Sequence, residues 1–307
     1  GEDRAPAGAR PGAPPMEAPT PLSLPAAAAS HHLDAVADCR RRIAAGEIFQ
    51  ANICLRLEAD LDRGTAGCLL RTALARVAPP YAAAFDTPRG SIASLSPELF
   101  LRRRGRDVVT GPIKGTMPRP PDPSAAAAAL ARLTGSAKDA AEHVMIVDLM
   151  RSDLGRVCEY GSVRAPRRAS AEAHPGLWHL VSYVRGRLRE AAGDAELLRA
   201  TFPPGSVTGA PKVQSLKVIA ALERCGREAY TGAIGFASPV AGLELSVAIR
   251  TLELAEGRIW LGAGGGIVAD SDPRQELEEA LAKARPIAAA IGTRISVDGP
   301  PPYVHAA

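Results

Sequence analysis

The run RIWLGAGGGIVADSDPRQELEEALAKARPI, residues 258–287, constrains this chain more than any other stretch. Residues 258–268 read as a strand. The three consecutive glycines at 264–266 leave its backbone open to close approach by a ligand, with amides able to hold an anion. Asp272 is placed as an N-cap and Pro273 at the first helical position, which predicts a helix from Pro273 to about Ile291. Leu277, Ala280, Leu281 and Ala284 form its core stripe, and Glu276, Glu279 and Lys283 line up beside that stripe at spacings of three and four. Such a row is either a solvated face with a Glu279–Lys283 pair or, next to the glycines and a carboxylate from a second helix, a set of oxygen donors suited to Mg²⁺.

The second helix is expected over residues 136–157. Its apolar stripe runs Met145, Ile146, Leu149, Met150, and stepping back by three and four residues lands on Glu142, on the buried face. A buried carboxylate needs a partner, so Glu142 is either a core glutamate paired with an arginine or a metal or catalytic group. The stretch TGPIKGTMPRP, residues 110–120, raises a similar choice, because Pro112, Gly115, Pro118 and Pro120 make the setting of Lys114 stiff. Residues 91–105 and 106–116 read as a hairpin around RRGRD, a topology that brings Glu98 near Lys114. An amine in a partly desolvated pocket loses its proton more readily and becomes a nucleophile, and a neighbouring carboxylic acid can protonate a leaving hydroxyl. An ion pair tying the strand down is the alternative for Lys114.

Elsewhere the pattern alternates. Residues 33–46 form an amphipathic helix closed by Gly46, residues 48–61 a strand, and helices dominate from 124 to about 155, with strand-like runs at 179–188, 230–238 and 243–254. Clustered strands and helices argue for α+β. Residues 1–32 are rich in Pro and Ala and read as a flexible leader, 33–292 as the catalytic domain and 293–307 as a tail. The segment 202–212, FPPGSVTGAPK, misses the spacing of a phosphate loop. His179, in WHLVS, is compatible with a satisfied core histidine.

Composition excludes some classes. A formal charge of +4 and 4% aromatic residues give no nucleic-acid signature. Cys39, Cys54, Cys68, Cys158 and Cys225 form no C-x-x-C pair, which argues against a disulfide framework or zinc site and for a reducing compartment. No apolar run reaches the ~18–20 residues of a membrane helix, and no signal pattern opens the chain, so the expected location is cytoplasmic, with no membrane or nucleic-acid partner.

The strings GEIFQANI, SPELFL, PIKGTMPR, AEHVMIVDLMRSDLGRV, HLVS, FPPGSVTGAPK, YTGAIGF, AIRTLEL and AGGGIVADSDPRQELEEALAK occur in that order. Together they resemble the motifs of the chorismate-utilising enzymes, over residues 34–290. The resemblance implies that family's α+β fold, two packed, mostly antiparallel sheets with helices outside, here lacking much of the family's N-terminal part. Family members that add water carry a lysine base where this chain has Gln50, and anthranilate-forming members have alanine where it has Lys114. Both positions therefore imply ammonia as the incoming group and C4 of chorismate as the site of amination.

The same resemblance implies the chemistry. Mg²⁺ held by Glu142 and Glu279, with Glu276 close by, would bind the ring carboxylate. Lys114 would attack C2 while Glu98 protonates the departing C4 hydroxyl; ammonia then adds at C4 and expels the lysine. Tyr230, Arg250, Gly264, Gly265 and Lys283 would surround the substrate carboxylates, with Ser206 and Thr208 in the loop closing the site, Gln50 beside the substrate and His179 near the ring. A separate glutamine amidotransferase subunit is expected as ammonia source, because its Cys-His-Glu motif is not found in this chain. Pro204, Ser152 and Lys217 depart from the residues usual in the family. Rival readings are anthranilate or 2-amino-2-deoxyisochorismate formation and, in another class, a non-catalytic chorismate-binding subunit.

Overall fold

The computed structural model describes residues 19–61, 65–166, 168–174 and 177–298. The first half of the chain runs β1 (Leu22–Leu24), α1 (Ala26–Ala44), β2 (Gln50–Asp60), α2 (Ala66–Leu74), β3 (Tyr81–Thr87), β4 (Gly90–Ser96), β5 (Leu99–Arg104), β6 (Asp107–Gly111), β7 (Ile113–Pro118), α3 (Pro123–Gly135) and α4 (Ala137–Gly155). The second half continues with β8 (Ser170–His174), β9 (Leu177–Val181), β10 (Val184–Arg187), α5 (Asp194–Thr201), a 3-10 turn (Gly205–Val207), β11 (Gly209–Ala210) and α6 (Lys212–Leu222). It closes with β12 (Ala233–Ser238), β13 (Gly242–Val247), β14 (Thr251–Ala255), β15 (Arg258–Ile267), α7 (Pro273–Ala290) and β16 (Ile295–Val297).

The strands assemble into a large sheet ordered β16-β1-β2-β15-β14-β4-β3, with β11 also on β2, a five-stranded sheet ordered β10-β6-β5-β13-β12, and a three-stranded sheet ordered β7-β9-β8. All pairings are antiparallel except β1 with β16. The α+β expectation holds, with a small third sheet added to the two larger ones.

Helix α7 forms as its sequence predicts. The Asp272 side chain accepts from the backbone N–H of Arg274 and Gln275, and Pro273 sits in the first turn, where its missing N–H costs nothing. Its stripe, Leu277, Ala280, Leu281 and Ala284, is buried against Leu57, Leu252, Leu261 and Ala263 of the large sheet. The opposite choice of face would expose those leucines, so period and sheet alternation together fix how α7 lies. A second apolar cluster joins α4 and α5 to the five-stranded sheet through Met150, Leu154, Leu197, Leu101 and Val184.

Two expected boundaries are corrected. Order begins before residue 33: Leu22 and Leu24 are fully buried in β1, which lies between β16 and β2, and α1 starts at Ala26. The alternation of Leu-Ser-Leu is a strand signal that the surrounding Pro and Ala masked. The tail expected from 293 likewise contributes β16, which pairs with β1 in parallel. The remainder of both expectations, residues 1–18 and 299–307, lies outside the described residues.

Four expected strands are broken, and the breaks build the site; one of them, 106–116, divides at Pro112 into β6 of the five-stranded sheet and β7 of the three-stranded one. The run 243–254 divides into β13 of the five-stranded sheet and β14 of the large one, turning at Arg250, whose φ is +51°. The run 91–105 divides in the same way into β4 and β5 around Pro97 and Glu98. These two crossings are bonded together, Val247 N–H to the Glu98 carbonyl at 3.0 Å and Leu95 N–H to the Arg250 carbonyl at 3.0 Å. The run 179–188 parts into β9 and β10, again in different sheets.

Candidate active site

Glu98 sits at the first crossing and is 3% exposed. Its position follows from the β5–β6 hairpin: Leu99 pairs with Gly111, so Glu98 stands across from the start of β7, which carries Lys114. Burial pushes the Glu98 carboxyl up to about 7, against the opposing effects of the Ser206 hydroxyl, the Lys114 charge, the Ile113 backbone and Arg250. At neutral pH it is therefore poised to give or take a proton, as a general acid requires. Burial pushes the Lys114 ammonium down, with Glu142 opposing and Lys283 reinforcing that shift. Lys114 Nζ lies 3.6 Å from Glu142 Oε2, each side chain about one-seventh exposed, at 14% and 15%. The partner of Glu142 is thus a lysine, where an arginine had been the bland expectation.

The glycine strand brings the elements together. A Cβ at Gly266 would lie 2.1 Å from the Gln50 amide nitrogen and 2.9 Å from Lys114 Nζ, and one at Gly265 would lie 3.1 Å from Glu276 Oε2 and 3.5 Å from Lys283 Nζ. Side chains reach this backbone from β2, β7 and α7 because no Cβ stands in the way. Glu276 is 4% exposed and accepts from Ser271 Oγ at 2.6 Å, while Lys283 bonds Glu279 at 2.7 Å and the Gly264 carbonyl at 3.1 Å. The three carboxylates are hard oxygen donors of the kind Mg²⁺ takes. Among the described residues, however, no three acidic, histidine or cysteine groups converge as a ready metal site. Lysines hold two of the carboxylates instead.

His179 is 1% exposed, its Nδ1 paired with Thr116 Oγ1 at 2.9 Å. Burial first, then Arg250 and His174, push it down to about 3, so it is neutral across the physiological range. Arg250 faces Glu98, and burial lowers its guanidinium. Tyr230, whose hydroxyl burial pushes well up, lies over Gly262 and donates its backbone N–H to Glu253. A cavity of 340 Å³ opens on that side, walled by Cys54, Glu223, Arg227, Tyr230, Trp260 and Gly262 among others; neither Lys114 nor Glu98 lines it. Thr208 turns its hydroxyl to the Pro204 carbonyl at 3.1 Å, inside its own loop, whereas the Ser206 hydroxyl lies near Glu98 with no hydrogen-bond partner.

Among the described residues, buried polar atoms in this region with no hydrogen-bond partner include Gln50 Nε2 and Oε1, Glu98 Oε1, Ser206 Oγ, His179 Nε2 and His143 Nδ1. Buried polar groups are nearly always paired, so a cluster of orphans on facing elements marks a place built to receive a polar ligand. Sequence reasoning missed His143, which is 3% exposed, bonded to Ser182 at 2.7 Å, and pushed down to about 4 by burial and by the Lys114 charge. It also missed the Lys212–Asp153 pair at 2.5 Å and the Glu223–Arg227 pair at 2.7 Å. The last had a legible signal, opposite charges at i and i+4.

A glycine strand edged by carboxylates and a buried lysine is thus set where two sheets exchange strands. The chain belongs to the chorismate binding enzyme family, whose match covers residues 4–289. It is 43% identical over 242 residues to aminodeoxychorismate synthase component 1 of Klebsiella aerogenes, covering 79% of this chain and 53% of that protein. It is 41% identical over 257 residues to anthranilate synthase component 1 of Streptomyces coelicolor, covering 83% and 50%. Among solved structures it is similar to anthranilate synthase component I of Streptococcus pneumoniae, with a TM-score of 0.77, 32% identity, and coverage of 85% of this chain and 57% of that one. The chain thus spans about half the length of these relatives.

Proposed function

We propose that this chain aminates chorismate at C4, forming 4-amino-4-deoxychorismate as aminodeoxychorismate synthase component 1 does by name. The observation that carries the reading is buried Lys114 beside Gln50 and Glu98, whose side chains, like those of Ser206 and His179, have buried atoms without a hydrogen-bond partner. In the mechanism we propose, neutral Lys114 attacks C2 of the ring, forming the N–C2 bond. Both ring double bonds shift by one position toward C4, the C4–O bond breaks, and Glu98 gives its proton to the departing hydroxyl, which leaves as water. Ammonia then adds at C4 and yields its surplus proton to the Glu98 carboxylate, both double bonds return, and the N–C2 electron pair goes back to Lys114, releasing the amine. One hard displacement is divided into two easier ones.

Arg250 and Lys283 supply positive charge for the two substrate carboxylates, and the Arg250 fork suits a carboxylate bidentately. His179, neutral and with Nε2 open, offers a donor or acceptor to the ring. Glu142 and Glu279, released from Lys114 and Lys283, would join Glu276 in holding Mg²⁺, which supplies a positive centre for the ring carboxylate when bound. Ammonia comes from a glutamine amidotransferase partner in this reading.

Anthranilate formation is the second reading, supported by the 41% identity to an anthranilate synthase component 1. Incubation with chorismate, Mg²⁺ and ammonium, followed by product identification, separates the two. The expected product is 4-amino-4-deoxychorismate; anthranilate or isochorismate alone would sink the proposal.

A further inference from the structure

Arg227 lies in the turn between α6 and β12, and one guanidinium there joins three segments. Its Nε and Nη2 donate to the two Glu223 carboxylate oxygens at 2.8 and 2.7 Å, Nη2 also to the Asn52 carbonyl at 2.5 Å, and Nη1 to the Val207 carbonyl at 2.8 Å. Glu223 in turn accepts the Cys54 backbone N–H at 2.8 Å. The pair is largely buried, its side chains 17% and 7% exposed. It therefore ties the end of α6, the middle of β2 and the Gly205–Val207 turn into one unit. Only a planar fork can serve these divergent acceptors; a lysine ammonium in the same place reaches fewer of them in good geometry.

The turn held in this way carries Ser206. On its other side Asn52 donates its backbone N–H to the Thr208 carbonyl at 2.6 Å, so Val207 and Thr208 are both fastened to β2, one through Arg227 and one directly. Between those two attachments and Glu98 the Ser206 hydroxyl has no partner of its own.

We propose that Arg227 is a positioning residue for the reaction of Lys114 and Glu98: it locks the Ser206 turn onto β2 and so fixes the place of the buried, unpartnered Ser206 hydroxyl beside Glu98. The inference rests on the function proposed above. Arg227 touches no reacting atom; it acts through Val207 and Asn52.

The test uses Arg227→Lys and Arg227→Ala with chorismate, Mg²⁺ and ammonium. Both variants are expected to lose about 100-fold in kcat, the usual size for a displaced catalytic constellation, with KM for chorismate nearly unchanged. Because Arg227 and Glu223 line the 340 Å³ cavity, a small cation has a route to the vacated place. Guanidinium chloride at millimolar concentration is expected to raise kcat of Arg227→Ala several-fold and to leave the parent and Arg227→Lys unchanged. Parent-like kcat in Arg227→Lys, or a folded Arg227→Ala that guanidinium does not rescue, overturns the proposal. If Arg227→Ala fails to fold, Arg227→Lys combined with Ser206→Ala decides: losses that fail to add support it, and fully additive losses overturn it. A parent protein that does not turn over chorismate overturns the proposed function and this inference together, whereas an active parent matched by Arg227→Lys removes this inference alone.

Discussion

Lys114 Nζ stands 3.6 Å from the Glu142 carboxylate, in a setting where burial favours the neutral amine and Glu142 favours the ammonium. Glu142, on a neighbouring helix, is thus the first support of the ammonium against burial, with Glu98 and Glu279 adding to it. Any group that engages Glu142 removes the main support of the ammonium, and the amine becomes available to react.

Lys114→Ala is expected to abolish amination at C4, with product falling below about a thousandth of the parent level, or to divert amination to C2. Product analysis after long incubation checks this. Glu142 keeps partial solvent contact, so the variant is expected to fold. Formation of 4-amino-4-deoxychorismate at the parent rate would remove Lys114 from the mechanism.

Glu98 carries a pH signature. As a general acid it must be protonated, so kcat/KM is expected to fall as pH rises through about 7. Its stability contribution has the same direction. The folded-state value lies above the unfolded one, so the contribution is complete below about 4.5 and is lost as pH climbs to about 7. Glu98→Gln should match the parent in stability at pH 4 and exceed it at pH 8 by roughly 3 kcal/mol, while losing about 10²–10⁴ in rate. Urea unfolding at the two pH values measures the first effect.

Adjacent glycines of β15 should fail differently. A Cβ at Gly264 would lie 2.4 Å from the Ile53 carbonyl, a backbone atom of the neighbouring strand, whereas one at Gly266 meets the movable ends of Gln50 and Lys114. Gly264→Ala is expected to lower stability by about 1–3 kcal/mol or more. Gly266→Ala is expected to cost less in thermal stability but about 100-fold in rate, since it displaces the amine. Equal thermal losses in both would contradict this account.

Lys212 donates to Asp153 at 2.5 Å and to the Thr201 carbonyl at 2.7 Å, joining α4, α5 and α6 across the base of the 202–211 loop. Removing one partner leaves a buried charge uncompensated. Lys212→Met should therefore destabilise by about 3–5 kcal/mol, read from the urea midpoint, while the Lys212→Met, Asp153→Leu double variant should recover much of that loss.

The site was legible in unequal measure. Lys114 was visible because proline and glycine stiffen its surroundings, and Glu98 because a hairpin places it opposite. Glu142 showed its buried face through helical periodicity, but its partner lies on a strand far along the chain and could not be named. The Glu223–Arg227 spacing was legible, but the bonds by which Arg227 and Lys212 join separate segments, to the Val207 and Thr201 carbonyls, leave no residue-type signature.

By itself the sequence determined the local elements and the family: the Asp272 cap, the α7 stripe, the glycine strand and the ordered motifs all act over a few residues, through caps, period and sterics. Tertiary structure alone decided that the runs 91–105 and 243–254 change sheets, that Glu98 and Arg250 meet at those crossings, and that β1 and β16 close the large sheet from opposite ends of the chain. The physical reason is range. A strand's alternation fixes which face is buried, but which neighbour it joins depends on burial shared with residues far away in sequence, and that is settled only when the layers pack.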